Sequence, residues 1–234
     1  MELSARLEAV ARMVTQGNRV CDVGCDHGYI AIYLVRNGIS PYVYAMDVNI
    51  GPLERAKEHI ASYALNDKIE TILSDGLMAL SEKKADAMVC AGMGGRLVIK
   101  ILTEGMEKVL EMKELILQPQ SEIHLVRAFL RSQGFFIDKE DMVYEDGKYY
   151  PVMHVLVHSD RQNEDNPVQD KFGPHLLVNK HPVLLDFLQY TKNTLDEIDK
   201  RLAAEEKTDK IETRIKELKL QQQEVEDALG YFEA

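Results

Sequence analysis

The chain has 234 residues, 45% of them hydrophobic, enough for one ordinary domain with a core and a smaller companion. Its formal net charge of -11 offers no bulk attraction for a polyphosphate, so a nucleic-acid contact would need a local basic face. The start, Met1-Glu2-Leu3-Ser4, lacks the sections of a secretory signal and no apolar run is long enough to cross a bilayer, so a cytoplasmic location without membrane contact is expected.

The first predicted helix begins at Ser4, a suitable N-cap, carries Leu7, Val10, Ala11 and Val14 on one face, and ends at Gly17. Arg19–Val23 is a short apolar strand running into a glycine-containing loop. Ile30–Asn37 is a helix stopped by Gly38 and Pro41, and Tyr42–Met46 is a strand ending at Asp47. Pro52–Leu65 is a helix, and Ile69–Leu73 a strand ending at Ser74-Asp75-Gly76. Ala85–Cys90 is the fourth strand, followed by a glycine run and a helix from Arg96 to about Gly105. Glu114–Leu117 is the fifth strand. Ser121 caps a helix through Ser132, closed by Gly134. Phe135–Tyr144 and Tyr149–His158 are strands joined at the Glu145-Asp146-Gly147 turn.

Strand–helix alternation implies right-handed crossovers and a doubly wound parallel α/β sheet, whereas two strands on a tight turn must run antiparallel. That combination, seven strands with an antiparallel closing hairpin, resembles the Rossmann-like methyltransferases. Ser159–Gln169 is polar, carries Pro167, and reads as a linker between a first domain, 1–160, and a second, 165–234. In the second, Leu184, Leu188, Thr191, Leu195, Ile198 and Leu202 form one seam with four- and three-residue steps. Ile211, Ile215, Leu218, Gln222, Val225, Leu229 and Phe232 form another, so an antiparallel coiled-coil hairpin turning near Lys207-Thr208-Asp209 is expected.

The chemistry concentrates where strands end. Asp22-Val23-Gly24-Cys25-Asp26-His27-Gly28-Tyr29 joins a strand to a helix, and Gly24 and Gly28 let a nucleotide approach the backbone. A dinucleotide fingerprint would have glycine where Asp26 and Tyr29 stand. An acidic side chain there repels a pyrophosphate and suits a cofactor with an amino group and a sulfonium, which favours methyl transfer over hydride transfer. Asp47, 19 positions after Gly28, can accept both ribose hydroxyls, although a helix N-cap would explain it too. Asp75 can accept from an adenine amino group, or cap a helix with Ser74. The donor site is therefore expected along Asp22, Gly24, Cys25, Gly28, Asp47, Val48, Asn49, Ser74, Asp75, Gly76, Ala91, Gly92 and Met93. Gly94, Gly95 and Arg96 continue the glycine run, which leaves room for a flat base, or is simply a flexible turn. The cysteines Cys21, Cys25 and Cys90 lie in apolar surroundings without zinc-site spacing, so packed thiols and no metal are expected.

Together with Ala91-Gly92-Met93-Gly94-Gly95, Leu117-Gln118-Pro119 and the terminal hairpin, the opening loop makes the chain resemble the bacterial tRNA adenine-N1 methyltransferases that modify adenine 22. The resemblance spans essentially the whole chain, including Leu3-Ser4-Ala5-Arg6-Leu7. It implies S-adenosylmethionine as donor, N1-methyladenosine in the D-arm region of tRNA as product, and the hairpin as a tRNA-contacting appendage.

Adenine N1 is already a nucleophile, so such an enzyme needs mainly alignment. Asp26 is the residue expected to stabilise developing charge or take a proton, with His27 and Tyr29 beside it for orientation or stacking; local capping would explain His27 as well. Arg6, Arg12, Arg96, Lys100, Arg127 and Arg131 are candidates to line the catalytic face. Lys200, Arg201, Lys207, Lys210, Arg214, Lys216 and Lys219 are candidates for phosphate contact at the hairpin tip, or for a solvated helix surface. From residues alone a methyltransferase for a small molecule or protein with a dimerising hairpin stays open, as does a non-catalytic nucleotide-binding scaffold. Monomer and homodimer are equally compatible with the sequence.

Overall fold

Apolar side chains at alternate positions decide which way each strand faces. In β1 (Val20–Val23), Val20 points to one side of the sheet while Cys21 and Val23 pack on the other, and all four residues are buried. A strand buried on both faces belongs at the centre of a parallel sheet. It is flanked there by β2 (Val43–Asp47) and β4 (Ala87–Gly94), with β3 (Ile69–Leu73) beyond β2. β5 (Glu114–Ser121) pairs parallel to β4; β7 (Lys148–Leu156) runs antiparallel to β5 and to β6 (Phe136–Glu145). The order β3-β2-β1-β4-β5-β7-β6 is the expected parallel sheet closed by an antiparallel hairpin.

Helices cover both faces. Val20, Val43, Ala45, Ala87, Val89 and Ile116 pack toward α1 (Ala5–Met13), α2 (Tyr29–Arg36) and α3 (Ile50–Ser62). Cys21, Val23, Met46, Met88, Cys90, Leu115 and Leu117 pack toward α4 (Gly95–Glu104), α5 (Met106–Val109) and α6 (Ile123–Ser132). The structure is a computed structural model that describes residues 1–80, 84–204 and 208–233, in two compact units, Met1–Asp165 and Asn166–Ala234. Among the described residues no helix is long and apolar enough to cross a membrane.

Several boundaries differ from the sequence reading, each for a non-local reason. β4 runs through Ala91–Gly94 instead of stopping at Cys90, because these residues pair with Gln118, Pro119 and Ser121 of β5 across irregular register. Ser121 does not cap α6: it stays in β5 opposite Gly94, and Glu122 turns the corner with a left-handed φ of 48°. α1 ends at Met13 with Val14 as its C-cap, short of Gly17.

In the second unit, helix starts earlier than the linker reading allowed. Asn166 caps α7 (Pro167–Phe172) by accepting from Val168 and Gln169, and α8 (Pro174–Val178) follows Gly173. α9 (Pro182–Ala203) and α10 (Asp209–Glu233) then pack antiparallel: Lys192 meets Glu226 at 3.6 Å, and Gln222 donates to Asp196 at 3.0 Å. Leu184, Leu188, Leu195, Leu218 and Val225 are buried as the seams require, but Ala228 takes the buried place expected of Leu229. Thr208 caps α10 by accepting from Ile211, while Lys207 lies outside the described residues.

Candidate active site

The carboxyl ends of parallel strands are where open α/β sheets bind ligands. Two adjoining cavities lie there. One, of about 360 Å³, is lined by Arg6, Leu7, Asp22, Gly24, Cys25, Asp26, His27, Tyr29, Ile30, Asp47, Ala91, Gly92, Met93 and Gln120. The other, of about 250 Å³, is lined by Val23, Gly24, Asp47, Val48, Asn49, Ser74, Asp75, Gly76, Met93, Leu97 and Ile101. Gly24, Asp47 and Met93 border both.

The loop between β1 and α2 is built on backbone. Gly24 and Cys25 donate N–H bonds to Met46 at 2.8 and 3.0 Å, and Gly28 donates to Cys25 at 2.7 Å. Gly24, Asp26 and Gly28 all take left-handed φ values, 77°, 45° and 71°. The left-handed φ is what favours glycine at Gly24; a Cβ there would also meet the Met93 Cε, which would have to swing aside. At Gly28 glycine lets α2 approach Ala56 of α3, where a Cβ would sit at 3.3 Å.

The acids differ sharply in their surroundings. Asp22 is 2% exposed and its Oδ2 is buried without a hydrogen-bond partner among the described residues. Burial, reinforced by the nearby charge of Asp47, pushes the Asp22 carboxyl up to about 7. Leaving such an oxygen unsatisfied is costly, so a bound cation or donor there would relieve it. Asp47 is also buried, and its Oδ1 accepts from Asn49 N at 2.8 Å, which holds the carboxylate at the edge of both cavities. Asp26 is exposed instead, 3.4 Å from Arg55 Nη2 and 3.6 Å from His27 Nε2. His27 and Tyr29 stack with ring centroids 5.3 Å apart.

Some expected residues serve the scaffold. The Ser74 hydroxyl donates to Gly76 O at 2.9 Å and accepts from Ala79 N at 3.0 Å, so it shapes the turn that carries Asp75. Gly94 and Gly95 do not line the cavities. A Cβ on Gly95 would overlap Ser121 O, so this glycine lets α4 start against the β5–α6 corner. Arg96 pairs with Glu122. Arg127, a candidate for the catalytic face, is buried in an ion pair with Glu140 at 2.9 Å; Arg131 pairs with Asp165, Arg12 with Glu8 and Lys100 with Glu104. In the second unit Arg214 pairs with Glu217 at 3.0 Å and Lys210 is exposed. The thiols of Cys21, Cys25 and Cys90 are unbridged and buried, and burial raises all three. No cluster of His, Cys, Asp or Glu suited to a metal occurs among the described residues.

Among the described residues, Arg6 is the one Arg or Lys candidate in the cavity wall. Its Nη1 donates to Gln118 Oε1 at 3.1 Å, the same oxygen accepts from Gly92 N at 3.0 Å, and the guanidinium lies over the Tyr150 ring at 5.3 Å. Gln118, Gln120, Leu97 and Ile101 were not singled out from the sequence as site residues. Only Gln118 had a signal, its place in Leu117-Gln118-Pro119.

Comparison with known proteins agrees with this geometry. Residues 3–153 match the family model described as a methyltransferase domain. The tRNA (adenine(22)-N(1))-methyltransferase of Bacillus subtilis is 31% identical over 219 residues, 90% of this chain and 92% of that protein. A Streptococcus pneumoniae protein solved with S-adenosyl-L-methionine is 31% identical at a TM-score of 0.86, covering 97% of this chain and 100% of that one. The structure of the B. subtilis M1A22 tRNA methyltransferase TrmK gives a TM-score of 0.83 at 28% identity over 97% of this chain and 98% of that one. With likeness running through both units and over nearly the full length of these relatives, the chain belongs to the tRNA (adenine(22)-N1)-methyltransferase family.

Proposed function

We infer that this protein transfers a methyl group from S-adenosylmethionine to N1 of adenine 22 in tRNA, giving N1-methyladenosine. The observation that carries the reading is the full-length likeness to the B. subtilis enzyme, joined to an acid-lined double cavity at the strand ends. The donor supplies an electrophilic methyl on a sulfonium, a good leaving group.

The residues present fit such a donor. The unpartnered Oδ2 of Asp22 suits an ammonium group, and Asp47 suits the two hydroxyls of a ribose. Asp75, with Leu97 and Ile101 as apolar walls, suits the amino edge and faces of an adenine. Gly24 supplies the close backbone approach between the two cavities.

On the substrate side, the chain must hold the base so that its in-plane N1 lone pair points along the methyl–sulfur axis. Alignment of that kind lowers a barrier by several kcal/mol on its own, roughly 7–11 in the best intramolecular cases. Asp26 at the cavity rim offers negative charge as the ring becomes cationic, and His27 and Tyr29 offer flat surfaces for orientation. The N1 edge is used in base pairing, so the target has to leave its stack before it can enter. Lys207, Lys210 and Arg214 are assigned to tRNA phosphates, with the second unit, 165–234 in the sequence reading, as the RNA-contacting part.

The test is direct. Labelled donor is offered to unmodified tRNA, and the product nucleoside is mapped. N1-methyladenosine at position 22 supports the reading, and transfer only to protein or small molecules refutes it. Replacing Lys210 and Arg214 by Glu would lower the salt dependence of tRNA affinity if the hairpin meets phosphate.

A further inference from the structure

Three rings from separate segments meet at the rim of the larger cavity. His27 comes from the loop, Tyr29 opens α2, and His59 stands near the end of α3. They are mutually near-parallel: His27–Tyr29 at 5.3 Å and 9°, Tyr29–His59 at 5.3 Å and 16°, His27–His59 at 5.5 Å and 21°. Tyr29, on the first turn of α2, is 40% exposed. His27 and Tyr29 line the cavity, and His59 stacks against both of them. Arg55, one turn before His59, reaches Asp26 at 3.4 Å with both side chains largely exposed. An exposed pair of this kind is weak, so the guanidinium can exchange its partner for a phosphate at little cost.

We propose that the His27–Tyr29–His59 cluster is a stacking platform for the tRNA nucleobase adjoining the target adenine, with Arg55 meeting the phosphate between the two. The inference rests on the tRNA methyltransferase reading above and names the second nucleotide the protein holds. Withdrawing the target from its stack exposes the face of its neighbour, and single-stranded RNA bases are characteristically held on aromatic faces. Stacking accepts any base, because every base has a π-face, so this subsite fixes position and leaves sequence to the target cavity.

The experiment measures kcat and KM for an unmodified tRNA transcript and S-adenosylhomocysteine affinity by calorimetry. It compares wild type with Tyr29→Leu, His59→Leu, His59→Phe and Arg55→Gln, each checked for folding by thermal melting. Tyr29→Leu and His59→Leu are expected to raise KM for tRNA about tenfold or more, with S-adenosylhomocysteine affinity kept within a few-fold. His59→Phe should recover most of the loss. Both His59 variants lack the 3.0 Å hydrogen bond from His59 Nδ1 to His27 O, so recovery by Phe assigns the effect to the ring. The ring variants should keep the salt slope of tRNA binding, and Arg55→Gln should reduce it by about one. The proposal is overturned if wild type methylates tRNA normally while both leucine variants keep KM within twofold, or if His59→Phe is as impaired as His59→Leu. A wild-type protein that transfers no methyl to tRNA would overturn the functional reading and the platform with it.

Discussion

Met93 packs over Gly24 so closely that a Cβ on the glycine would overlap the methionine Cε, and these two residues, with Asp47, border both cavities. Gly24→Ala therefore meets a φ of 77°, which costs an L-residue roughly 1–2 kcal/mol, and pushes the Met93 tip into the cavities that it borders. S-adenosylhomocysteine affinity is expected to fall at least tenfold. Gly24→Ala with Met93→Ala should regain part of it, since only the overlap is removed. Calorimetry showing wild-type affinity in the single variant would contradict this account.

Asp22 is expected to make donor binding pH-dependent. Its carboxyl is raised from 3.8 to about 7 in the folded chain, so between these values the native state keeps a proton that the unfolded chain has released. Stability then falls as pH rises through that window. If the ionised form meets the donor ammonium, affinity rises with pH through about 7 and binding releases a proton. Titrations in buffers of different ionisation enthalpy should detect the release below pH 7. Asp22→Asn should flatten both dependences, and a flat wild-type profile would rule out the role.

Asp26 and Asp47 should separate chemistry from binding. Asp26→Ala is expected to lose most methyl transfer while keeping much of its donor affinity; normal turnover would dismiss Asp26 from the reaction. Asp47→Ala is expected to weaken S-adenosylhomocysteine chiefly, by about 1–3 kcal/mol for the loss of charged hydrogen bonds. Stopped-flow or quench experiments at saturating donor would show whether its chemical step survives.

At the far end of the sheet from the cavities, Glu114 is held by Thr15 N at 2.9 Å, Asn18 Nδ2 at 3.0 Å and His154 Nε2 at 2.8 Å. Burial pushes its carboxyl up, but the hydrogen bonds from His154, Thr15 and Asn18 outweigh burial and hold it below the usual range. A lowered carboxylate contributes stability above its unfolded value and loses that contribution as pH falls through the folded one. Glu114→Ala leaves buried donors unpaired and should cost roughly 2–4 kcal/mol in urea unfolding, with kcat at 25 °C little changed. Equal loss of kcat under conditions where the variant is folded would mean the network reaches the site.

Much of the sheet and the donor loop was legible because their causes are local. Val20–Val23 announces a strand by composition, and Gly24 and Gly28 mark a loop that lets a nucleotide approach the backbone. What escaped the sequence depends on partners far along the chain. The glycine run at Ala91–Gly94 looked like an open turn and is a strand, since β5 supplies its hydrogen bonds. Ser121 looked like a cap and is a strand residue for the same reason. Arg127 read as a candidate for the catalytic face, and only the arrival of Glu140 on β6 makes its burial tolerable. Gln120, Leu97 and Ile101 carry no local mark of a site, whereas Arg6, expected on the catalytic face, does reach the cavity wall because α1 packs beside β5, β6 and β7.

Arg6 also has a practical side. Its backbone N–H donates to Glu145 at 3.4 Å, its guanidinium binds Gln118 and covers Tyr150, and it stands only five residues after Met1. A purification handle fused ahead of Met1 would begin within one short segment of the cavity wall, where leftover vector residues could crowd the entrance or compete for the arginine. Samples for kinetics are best prepared with as few added residues ahead of Met1 as possible, and tagged and untagged preparations compared before any rate is ascribed to the protein itself.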